Sequence, residues 1–376
     1  MNIAFCTEYL EPQINGIAVR CSQYIIHLRK LGNQVDVYGP KKHTLSSNSI
    51  HTVKNYFNKG NRLTVLPNLR LLINIFRKKY DAVHVVLPLF AWFPLIALAT
   101  RLSGTRLVLS NHVNLSYYTY SYLKNRLLVK ICLHLVKKFY RYQDKVADLI
   151  MAPSKFDEIK QFISMKKFSI IKTAVDRNLF YPKITGSVHK QIIYVGRIAP
   201  EKNLDRLLDL FFTLDESFTL KMIGDGPELI RLKKRVQDNP RIQFLGFIPH
   251  SQLTIHFQNA DFHLVTSLSE TFGFTLIESM ACGTPVIYPD CPVFDSLYGN
   301  DFPELKYKID DNRSFLKSVD SLYENYEEFR KRSVEYSEKH SWLEASRSLM
   351  ECYKWEKKLK YSSLIQPALD NSYPLR

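Results

Sequence analysis

The sequence predicts an α/β protein made of two successive doubly wound domains, each with a parallel sheet. Strand-like hydrophobic segments alternate with helical stretches over most of the 376 residues, and the pattern restarts after Lys183. The strand candidates are "NIAFCT", "QVDVYG", "AVHVV", "RLVLSN", "LIMAPS" and "FSIIKTA", then "QIIYVG", "FTLKMIG", "RIQFLG", "FHLVTS" and "PVIYPD". Such alternation is typical of strand–helix–strand units, and the chain is long enough for two cores.

The domain limits follow from the composition. A proline and polar residues in "VDRNLFYPKITGSVHK" separate the two runs, which places the first domain at 1–182 and the second at 183–354. The closing segment "SWLEASRSLMECYKWEKKLKYSSL" has the spacing of one or two amphipathic helices. We expect residues 355–376 to pack back on the first domain.

One hydrophobic stretch is long enough to be a membrane-span candidate. Ala82 to Thr100 is 19 residues without Lys, Arg, Asp or Glu. Pro88 and Pro94 interrupt it, and its first part reads as a buried parallel strand that leads into a helix. We therefore predict buried core here, and a peripheral rather than an integral membrane protein.

The charge of the chain is one-sided. The formal net charge is +16, and the residues through Phe180 hold 27 Lys and Arg against 9 Asp and Glu, whereas the remainder holds 25 against 27. This asymmetry favours a first domain that faces a membrane surface, nucleic acid or an acidic substrate. A merely solubilising surface is the plain alternative.

The cysteines and the N-terminus indicate the compartment. Six cysteines are scattered without a CxxC pair, which argues against a zinc site or a disulfide framework and fits a reducing compartment. The first residues, "MNIAFCTEYL", read directly as a strand without a basic leader region. We expect a cytoplasmic protein, peripheral on the cytosolic face of a membrane.

Candidate ligand-binding residues follow the strands, because ligands bind at the carboxyl ends of parallel strands. Gly16 would open the first helix and allow a phosphate to approach its N-terminus, although no GxGxxG motif is present. In "YVGRIAPEKN", Arg197 and Lys202 follow a strand of the second domain, and two cations there suit a diphosphate. An exposed charged loop is the alternative.

Two carboxylates flank a glycine–aromatic turn in "SLSETFGFTLIESMACGTPVI". Glu270 follows a strand, and Glu278 lies seven intervening residues later on the helix that starts near Gly273. A carboxylate near a helix N-terminus can simply stabilise the helix. Together with two cations on the same edge, however, the carboxylates favour a polyhydroxylated ligand that carries phosphates, such as a nucleoside-diphosphate sugar.

The same stretch resembles the E-x7-E signature of retaining glycosyltransferases of family 4. The resemblance covers nearly the whole chain and includes, in the family's order, "NG", "SNH", "ADLIMAPS", "VGRIAPEKN", "GDGP", "FLGFIP" and the final "SW". It implies the GT-B fold, in which two Rossmann-like domains face each other across a cleft.

The resemblance also implies roles for individual residues. The residue matching Glu270 contacts the transferred sugar, and that matching Glu278 binds the ribose. His112 corresponds to an active-site histidine near the donor sugar, with a satisfied strand-end histidine as the alternative, and Gly16 approaches the phosphates from the other domain. The remaining donor-binding positions are Arg197, Lys202, Gly273, Phe274 and Thr275.

The mechanism that the resemblance implies is metal-independent and retains the anomeric configuration, with catalytic contributions from His112 and Glu270. The nucleotide sugar, a UDP- or GDP-sugar, is a co-substrate and no cofactor is expected. None of the 19 aspartates is spaced as D-x-D, the usual metal–diphosphate motif of the other major transferase fold. The acceptor hydroxyl attacks on the face from which the phosphate leaves, the phosphate oxygen takes its proton, and Glu270 positions the donor.

The sequence departs from the family pattern in three places. The first loop has Gly16 where the family often has two glycines, "TAVD" replaces an "NGVD"-like segment, and "YPDCPVFDSLYGND" follows Ile287 in place of a Gly-Gly loop. These changes weaken inference about phosphate approach and donor choice.

The acceptor is left open by the sequence. The segment after His112 interleaves Tyr and Phe with Lys and Arg, which suits a lipid headgroup on an anionic membrane and resembles family members that glycosylate diacylglycerol. An ordinary amphipathic helix explains it equally well, and a soluble sugar or glycan is the alternative acceptor. A non-catalytic sugar-nucleotide-binding protein is a further alternative. Nucleic acid is not expected, because the paired carboxylates would repel phosphates and no binding motif is present.

Overall fold

The structure, a computed structural model, describes most of the chain. The described residues are 1–10, 16–40, 45, 48–54, 62–66, 69–87, 93–112, 115–123, 125–152, 164, 167–170, 173–183, 188–268, 270, 273–298 and 301–354. All structural statements below concern these residues.

An eight-stranded sheet forms the first domain, in the order β4-β3-β2-β1-β5-β6-β7-β8. The strands are β1 (Asn2–Cys6), β2 (Gln34–Pro40), β3 (Asn48–Lys54), β4 (Arg62–Leu66), β5 (Ala82–Leu87), β6 (Arg106–Asn111), β7 (Leu149–Ala152) and β8 (Phe168–Ile170). All neighbouring strands are parallel except β3 and β4, which are antiparallel.

Helices cover both faces of this sheet. They are α1 (Gly16–Lys30), α2 (Leu69–Phe76), α3 (Phe93–Ser103), α4 (Leu115–Tyr122) and α5 (Arg126–Val146). The start of α5 is fixed by Asn125, whose side chain accepts hydrogen bonds from two backbone amides of the first turn. Helices α2, α3 and α5 share one core cluster with the sheet, and α1 packs on the opposite face.

A six-stranded parallel sheet forms the second domain, in the order β11-β10-β9-β12-β13-β14. The strands are β9 (Gln191–Val195), β10 (Thr219–Ile223), β11 (Ile242–Gly246), β12 (Phe262–Leu264), β13 (Val286–Pro289) and β14 (Lys306–Tyr307). The helices that follow them are α6 (Leu204–Phe211), α7 (Leu229–Val236), α8 (Leu253–Gln258), α9 (Phe274–Ala281), α10 (Pro292–Tyr298), α11 (Asn312–Glu324), α12 (Tyr326–Glu338) and α13 (Trp342–Lys354).

The predicted fold class is confirmed, and every predicted strand is present. The sequence did not indicate β3, β4 or β14. Within the stretch Ala82 to Thr100, residues 82–87 form the buried strand β5 and residues 93–100 lie in helix α3, as predicted, whereas residues 88–92 lie outside the described residues. The predicted burial holds only in part for α3, because Leu95 and Leu98 are exposed. In the part of the chain that the structure describes, no helix combines the length and apolar character that a membrane crossing requires.

Helix α13 packs on the first domain. Trp342, Leu349 and Tyr353 lie in that domain's core with α1 and β1, so the first domain includes residues that the predicted limits, 183–354, place in the second. The chain crosses back to the first domain at Ser341, which forms an isolated bridge with Val175, close to the predicted boundary at residue 182. The helix returns because its apolar stripe is buried on that side of the first sheet. Residues 355–376 lie outside the described residues.

Candidate active site

The candidate site lies where the carboxyl ends of the two sheets approach each other. Helix α1 follows β1 in the first domain, and helix α9 follows β12 in the second. A Cβ atom added to Gly16 would lie 3.0 Å from Cδ2 of Phe274. The glycine therefore allows the start of α1 to approach the start of α9 directly.

Lys202 and Glu270 form the central ion pair of the site. The Lys202 Nζ lies 2.5 Å from Oε1 of Glu270, and the two side chains are 20% and 15% exposed. The same Glu270 oxygen accepts a 2.8 Å hydrogen bond from the Ser267 hydroxyl. The sequence predicted both charged residues, and the structure brings them together because β9 and β12 are neighbours.

A threonine ties the two loops that carry this pair. The Thr266 hydroxyl lies 3.0 Å from the backbone carbonyls of both Lys202 and Asn203. Asn203 has a left-handed backbone, with φ 51°, and closes the short 3-10 turn Pro200–Lys202. The lysine is therefore held by its own turn and by the end of β12.

Arg197 lies on the same loop but has a different partner. Its Nη1 lies 3.8 Å from Oε1 of the buried Glu201, and 40% of the arginine side chain is exposed. The Tyr194 hydroxyl donates a 2.8 Å hydrogen bond to the Arg197 carbonyl, which fixes the backbone at this point. The guanidinium is thus accessible at the rim while its backbone is held.

The "GDGP" segment braces the Arg197 loop through backbone contacts. Gly224 has φ 138°, and a Cβ there would lie 1.8 Å from the Gly196 carbonyl oxygen. A Cβ on Gly226 would lie 2.2 Å from the Ile198 carbonyl oxygen. Only glycine permits this approach at both positions, so the motif supports the loop's shape.

Glu278 is buried in α9 and is held by a histidine. Its Oε1 lies 2.7 Å from Nε2 of His250, and the glutamate and histidine side chains are 5% and 42% exposed. Sequence reasoning missed His250, although it directly follows the quoted "FLGFIP" segment. A cavity of about 40 Å³ beside this pair is lined from both domains, by residues that include Gln23, His250, Glu278 and Trp342.

The turn at the start of α9 has a structural role that the sequence did not indicate. Gly273 precedes the helix in a left-handed conformation, with φ 57°. The Phe274 ring lies 5.0 Å from the guanidinium carbon of Arg20 and 5.9 Å from the Trp342 ring. Its side chain thus packs between the domains, while Thr275 is half-buried in the first turn.

Arg20 is a completely buried cation of the first domain, and no sequence pattern indicated this burial. Burial lowers the pKa of its guanidinium to about 10, opposed by Tyr24 and Cys21. Arginine nevertheless stays charged at neutral pH. The guanidinium lies against the Phe274 ring, where the two domains meet.

His112 lies at the carboxyl end of β6, as predicted, and is buried. Its Nε2 lies 3.0 Å from the Ser110 hydroxyl oxygen. Burial, and then the charges of Arg20 and His84, hold the pKa of His112 well below its ordinary value. The imidazole is therefore neutral at physiological pH.

Among the predicted site residues, the structure brings Lys202 against Glu270 and Gly16 against Phe274. Helix α4 of the first domain reaches the turn Pro200–Lys202 of the second, which encloses the site from the other side. Within the described ranges no three His, Cys, Asp or Glu side chains cluster as metal ligands. Metal independence stays a prediction.

Comparison with known proteins identifies the family. Residues 14–178 match the family described as Glycosyltransferase Family 4, and residues 183–340 match Glycosyl transferases group 1. The chain is 26% identical over 379 residues to the sulfoquinovosyl transferase SQD2 of Arabidopsis thaliana, covering 90% of this chain and 71% of that protein. It is 24% identical to the alpha-monoglucosyldiacylglycerol synthase of Acholeplasma laidlawii, covering 79% of this chain and 82% of that protein.

Solved structures have the same fold. The sucrose-phosphate synthase of Thermosynechococcus elongatus superposes with a TM-score of 0.70 at 19% identity, covering 94% of this chain and 98% of that one. Anabaena HepE in complex with UDP and glucose superposes with a TM-score of 0.68 at 16% identity, covering 94% and 99%. The chain belongs to glycosyltransferase family 4 and is a glycosyltransferase with the GT-B fold.

Proposed function

We propose that the protein moves a hexose from a nucleoside-diphosphate sugar to a hydroxyl group of a membrane lipid or lipid-linked glycan, with retention of the anomeric configuration. The observation that carries the donor part is the pairing of Lys202 with Glu270 at the edge where the two domains meet. A cation and a carboxylate held together there match the two halves of such a donor, its diphosphate and its sugar hydroxyls.

The charges around the cleft support transfer without a metal ion. In this proposal Lys202 and the accessible Arg197 lie beside the leaving diphosphate and offset the negative charge that develops on it. The acceptor oxygen forms its bond to the anomeric carbon on the face from which the diphosphate leaves. The bond to the phosphate oxygen breaks, and that oxygen takes the acceptor proton.

Glu270 positions the donor sugar in this proposal and is not the nucleophile. Its Oε1 is already engaged by Lys202 and Ser267. Glu278, the other carboxylate, is bonded to His250 and would accept from the ribose hydroxyls.

An apolar and basic surface on the first domain supports a membrane acceptor. The outer faces of α2, α3 and α5 expose large apolar side chains, and α2 packs against α3. The apolar residues are Leu69, Ile73, Phe76, Leu95, Leu98, Leu102, Leu127, Leu128, Ile131 and Leu135. The exposed cations among them are Arg70, Arg77, Lys78, Lys79, Arg101, Lys130, Lys138, Arg141 and Lys145.

We call these residues the lipid surface. Apolar side chains with cations beside them bind the interface of an anionic bilayer through both burial and charge. The inner faces of α2, α3 and α5 pack into one core cluster, so the lipid surface lies on the outer side of these helices. The name of one relative, a monoglucosyldiacylglycerol synthase, agrees with a lipid acceptor.

The experiment is a transfer assay with a panel of labelled UDP- and GDP-sugars. Vesicles of phosphatidylglycerol with diacylglycerol, vesicles of phosphatidylcholine with diacylglycerol, and soluble sugars are offered separately, and organic and aqueous products are separated. We expect label in the organic phase with anionic vesicles. Label only in a soluble product would contradict the lipid acceptor, and inversion of the anomeric centre in the product would contradict retention.

A further inference from the structure

The protein contains a buried chain of hydrogen bonds that ends at His112. We propose that Tyr353, His84 and Ser110 are positioning residues that hold His112 as the tautomer protonated on Nδ1, and that helix α13 thereby completes the active site. This inference rests on the proposed function of His112 near the donor sugar.

The chain is continuous and enclosed. The Tyr353 hydroxyl lies 2.5 Å from Nδ1 of His84, whose Nε2 lies 2.7 Å from the Ser110 hydroxyl. That hydroxyl lies 3.0 Å from Nε2 of His112. All four side chains are at most 3% exposed.

The sheet register brings these groups into line. His84 of β5 pairs with Val108 of β6, and Ser110 lies two residues further along the same strand. Residues two apart on a strand face the same side of the sheet, so Ser110 and His112 share one face. Tyr353 reaches this face from α13, and Nη1 of Arg106 donates a 3.0 Å hydrogen bond to the Tyr353 carbonyl.

The direction of the bonds follows from counting hydrogens. In the described part of the chain, His84 is the partner of the Tyr353 hydroxyl, and a buried hydroxyl with one acceptor nearby donates its hydrogen to it. Nδ1 of His84 is then an acceptor. Because His84 is neutral, its Nε2 carries the hydrogen and donates it to the Ser110 oxygen.

Ser110 transmits this direction to His112. A serine hydroxyl has one hydrogen, and with its oxygen accepting from His84 we assign that hydrogen to Nε2 of His112, the ring nitrogen 3.0 Å away. Burial lowers the pKa of His84 to about 3 and that of His112 well below its ordinary value, which agrees with two neutral rings. His112 is therefore protonated on Nδ1, the nitrogen that faces away from Ser110.

Removal of the Tyr353 hydroxyl should release the direction of every hydrogen bond in this chain. In Tyr353→Phe, His84 loses its donor at Nδ1, so the hydrogen-bond chain no longer favours one tautomer of His84 and of His112 over the other. We expect 15N-resolved NMR of the histidine rings to show His112 protonated on Nδ1 in the wild type and a mixture, or the Nε2 form, in Tyr353→Phe. This measurement requires no substrate, so it is independent of whether the proposed function holds.

A second variant and a matched control complete the test. Ser110→Ala cuts the chain beside His112 with the smallest change of volume and should also release the tautomer. Tyr288→Phe is the control, because Tyr288 is a buried tyrosine of the second domain whose hydroxyl donates a 3.0 Å hydrogen bond to the Phe302 carbonyl. It should leave the His112 signals unchanged.

Kinetics separate positioning from mere stability. With a donor that the protein uses, we expect kcat to fall about tenfold in Tyr353→Phe, the scale of one well-placed hydrogen bond, with a smaller change in KM. Tyr288→Phe should keep kcat. A wild-type His112 protonated on Nε2, or an unchanged tautomer in both Tyr353→Phe and Ser110→Ala, would overturn the inference.

Discussion

The two sides of the cleft are built by different means. On the second-domain side, charged residues lie on short loops whose backbones are braced by glycines and by Thr266, and their partners are also on that domain. On the first-domain side, Gly16 lies against Phe274 of the second domain, and His112 ends a hydrogen-bond chain that starts at Tyr353 of α13. The second-domain side is thus built from contacts within one domain, whereas the first-domain side depends on residues of the second domain and of the C-terminal helix.

Glu270→Gln should have the largest effect and tests the donor side. The change keeps the shape but removes the charge that pairs with Lys202, so we expect kcat/KM to fall about 100-fold or more, the scale of one preorganised electrostatic contact. Initial rates of sugar transfer measure this. Glu344→Gln, an exposed glutamate on α13, is the control and should keep full activity.

Gly224→Ala tests how strictly the second-domain loops are braced. A Cβ would lie 1.8 Å from the Gly196 carbonyl oxygen, so the backbone must move, and we expect a loss of about 3 kcal/mol or more in the free energy of unfolding. Urea unfolding measures the loss.

Gly32→Ala is the matched control for this loss. Gly32 also has a positive φ, 81°, but a Cβ there would meet nothing within 4 Å. Its cost should be about 1 kcal/mol, that of the backbone conformation alone. Equal losses at the two positions would contradict a role for the contact between the loops.

The third prediction concerns acid stability, in which the two domains differ. His84 of the first domain and His263 of the second have pKa values that burial lowers to about 3. Below the ordinary pKa of 6.5 the unfolded chain binds protons that the native state does not. Stability therefore falls as the pH falls, by roughly 2 kcal/mol per histidine between about pH 6.5 and about pH 5.

Urea unfolding at about pH 7 and about pH 5 checks this sign. The first domain contains the additional buried histidine His112, so it should lose more stability than the second. His263→Asn should reduce the pH dependence of the second domain alone. Stability that rises on acidification would show that these histidines are not buried as neutral rings.

The smallest expected effect concerns the lipid surface. Replacing Leu127 and Leu135 of α5 by Ser removes two exposed leucines, and we expect the partition onto phosphatidylglycerol vesicles to weaken about tenfold. Vesicle co-sedimentation measures the binding. Ile230→Ser, an exposed apolar residue of the second domain, is the control and should bind as the wild type does.

Much of this contrast could be predicted from the sequence. Runs such as "AVHVV" and "QIIYVG" could be predicted as buried strands because their hydrophobic period and their composition agree. Lys202 and Glu270 could be predicted as site residues because they follow strands, and parallel sheets bind ligands at the carboxyl ends of their strands. The pair β3 and β4 was missed because its residues are mostly polar or isolated apolar. The apolar stripe of α13 indicated burial but not which domain it faces.

The remaining site residues carry no local signal. His250 is a single histidine in a loop, and its contact with Glu278 spans 28 positions along the chain. Arg20 looks like an ordinary helix cation, and its burial beneath Phe274 depends on how the two domains meet. The hydrogen-bond chain to His112 joins residues 269 positions apart, which no spacing rule detects.

One comparison of rates tests the central claim most directly. Sugar transfer into the organic phase is measured with the wild type, Lys202→Ala and Lys331→Ala, where Lys331 is an exposed lysine of the second domain. We expect transfer by the wild type and by Lys331→Ala, and almost none by Lys202→Ala. Full transfer by Lys202→Ala would show that the ion pair with Glu270 is not where the donor is held.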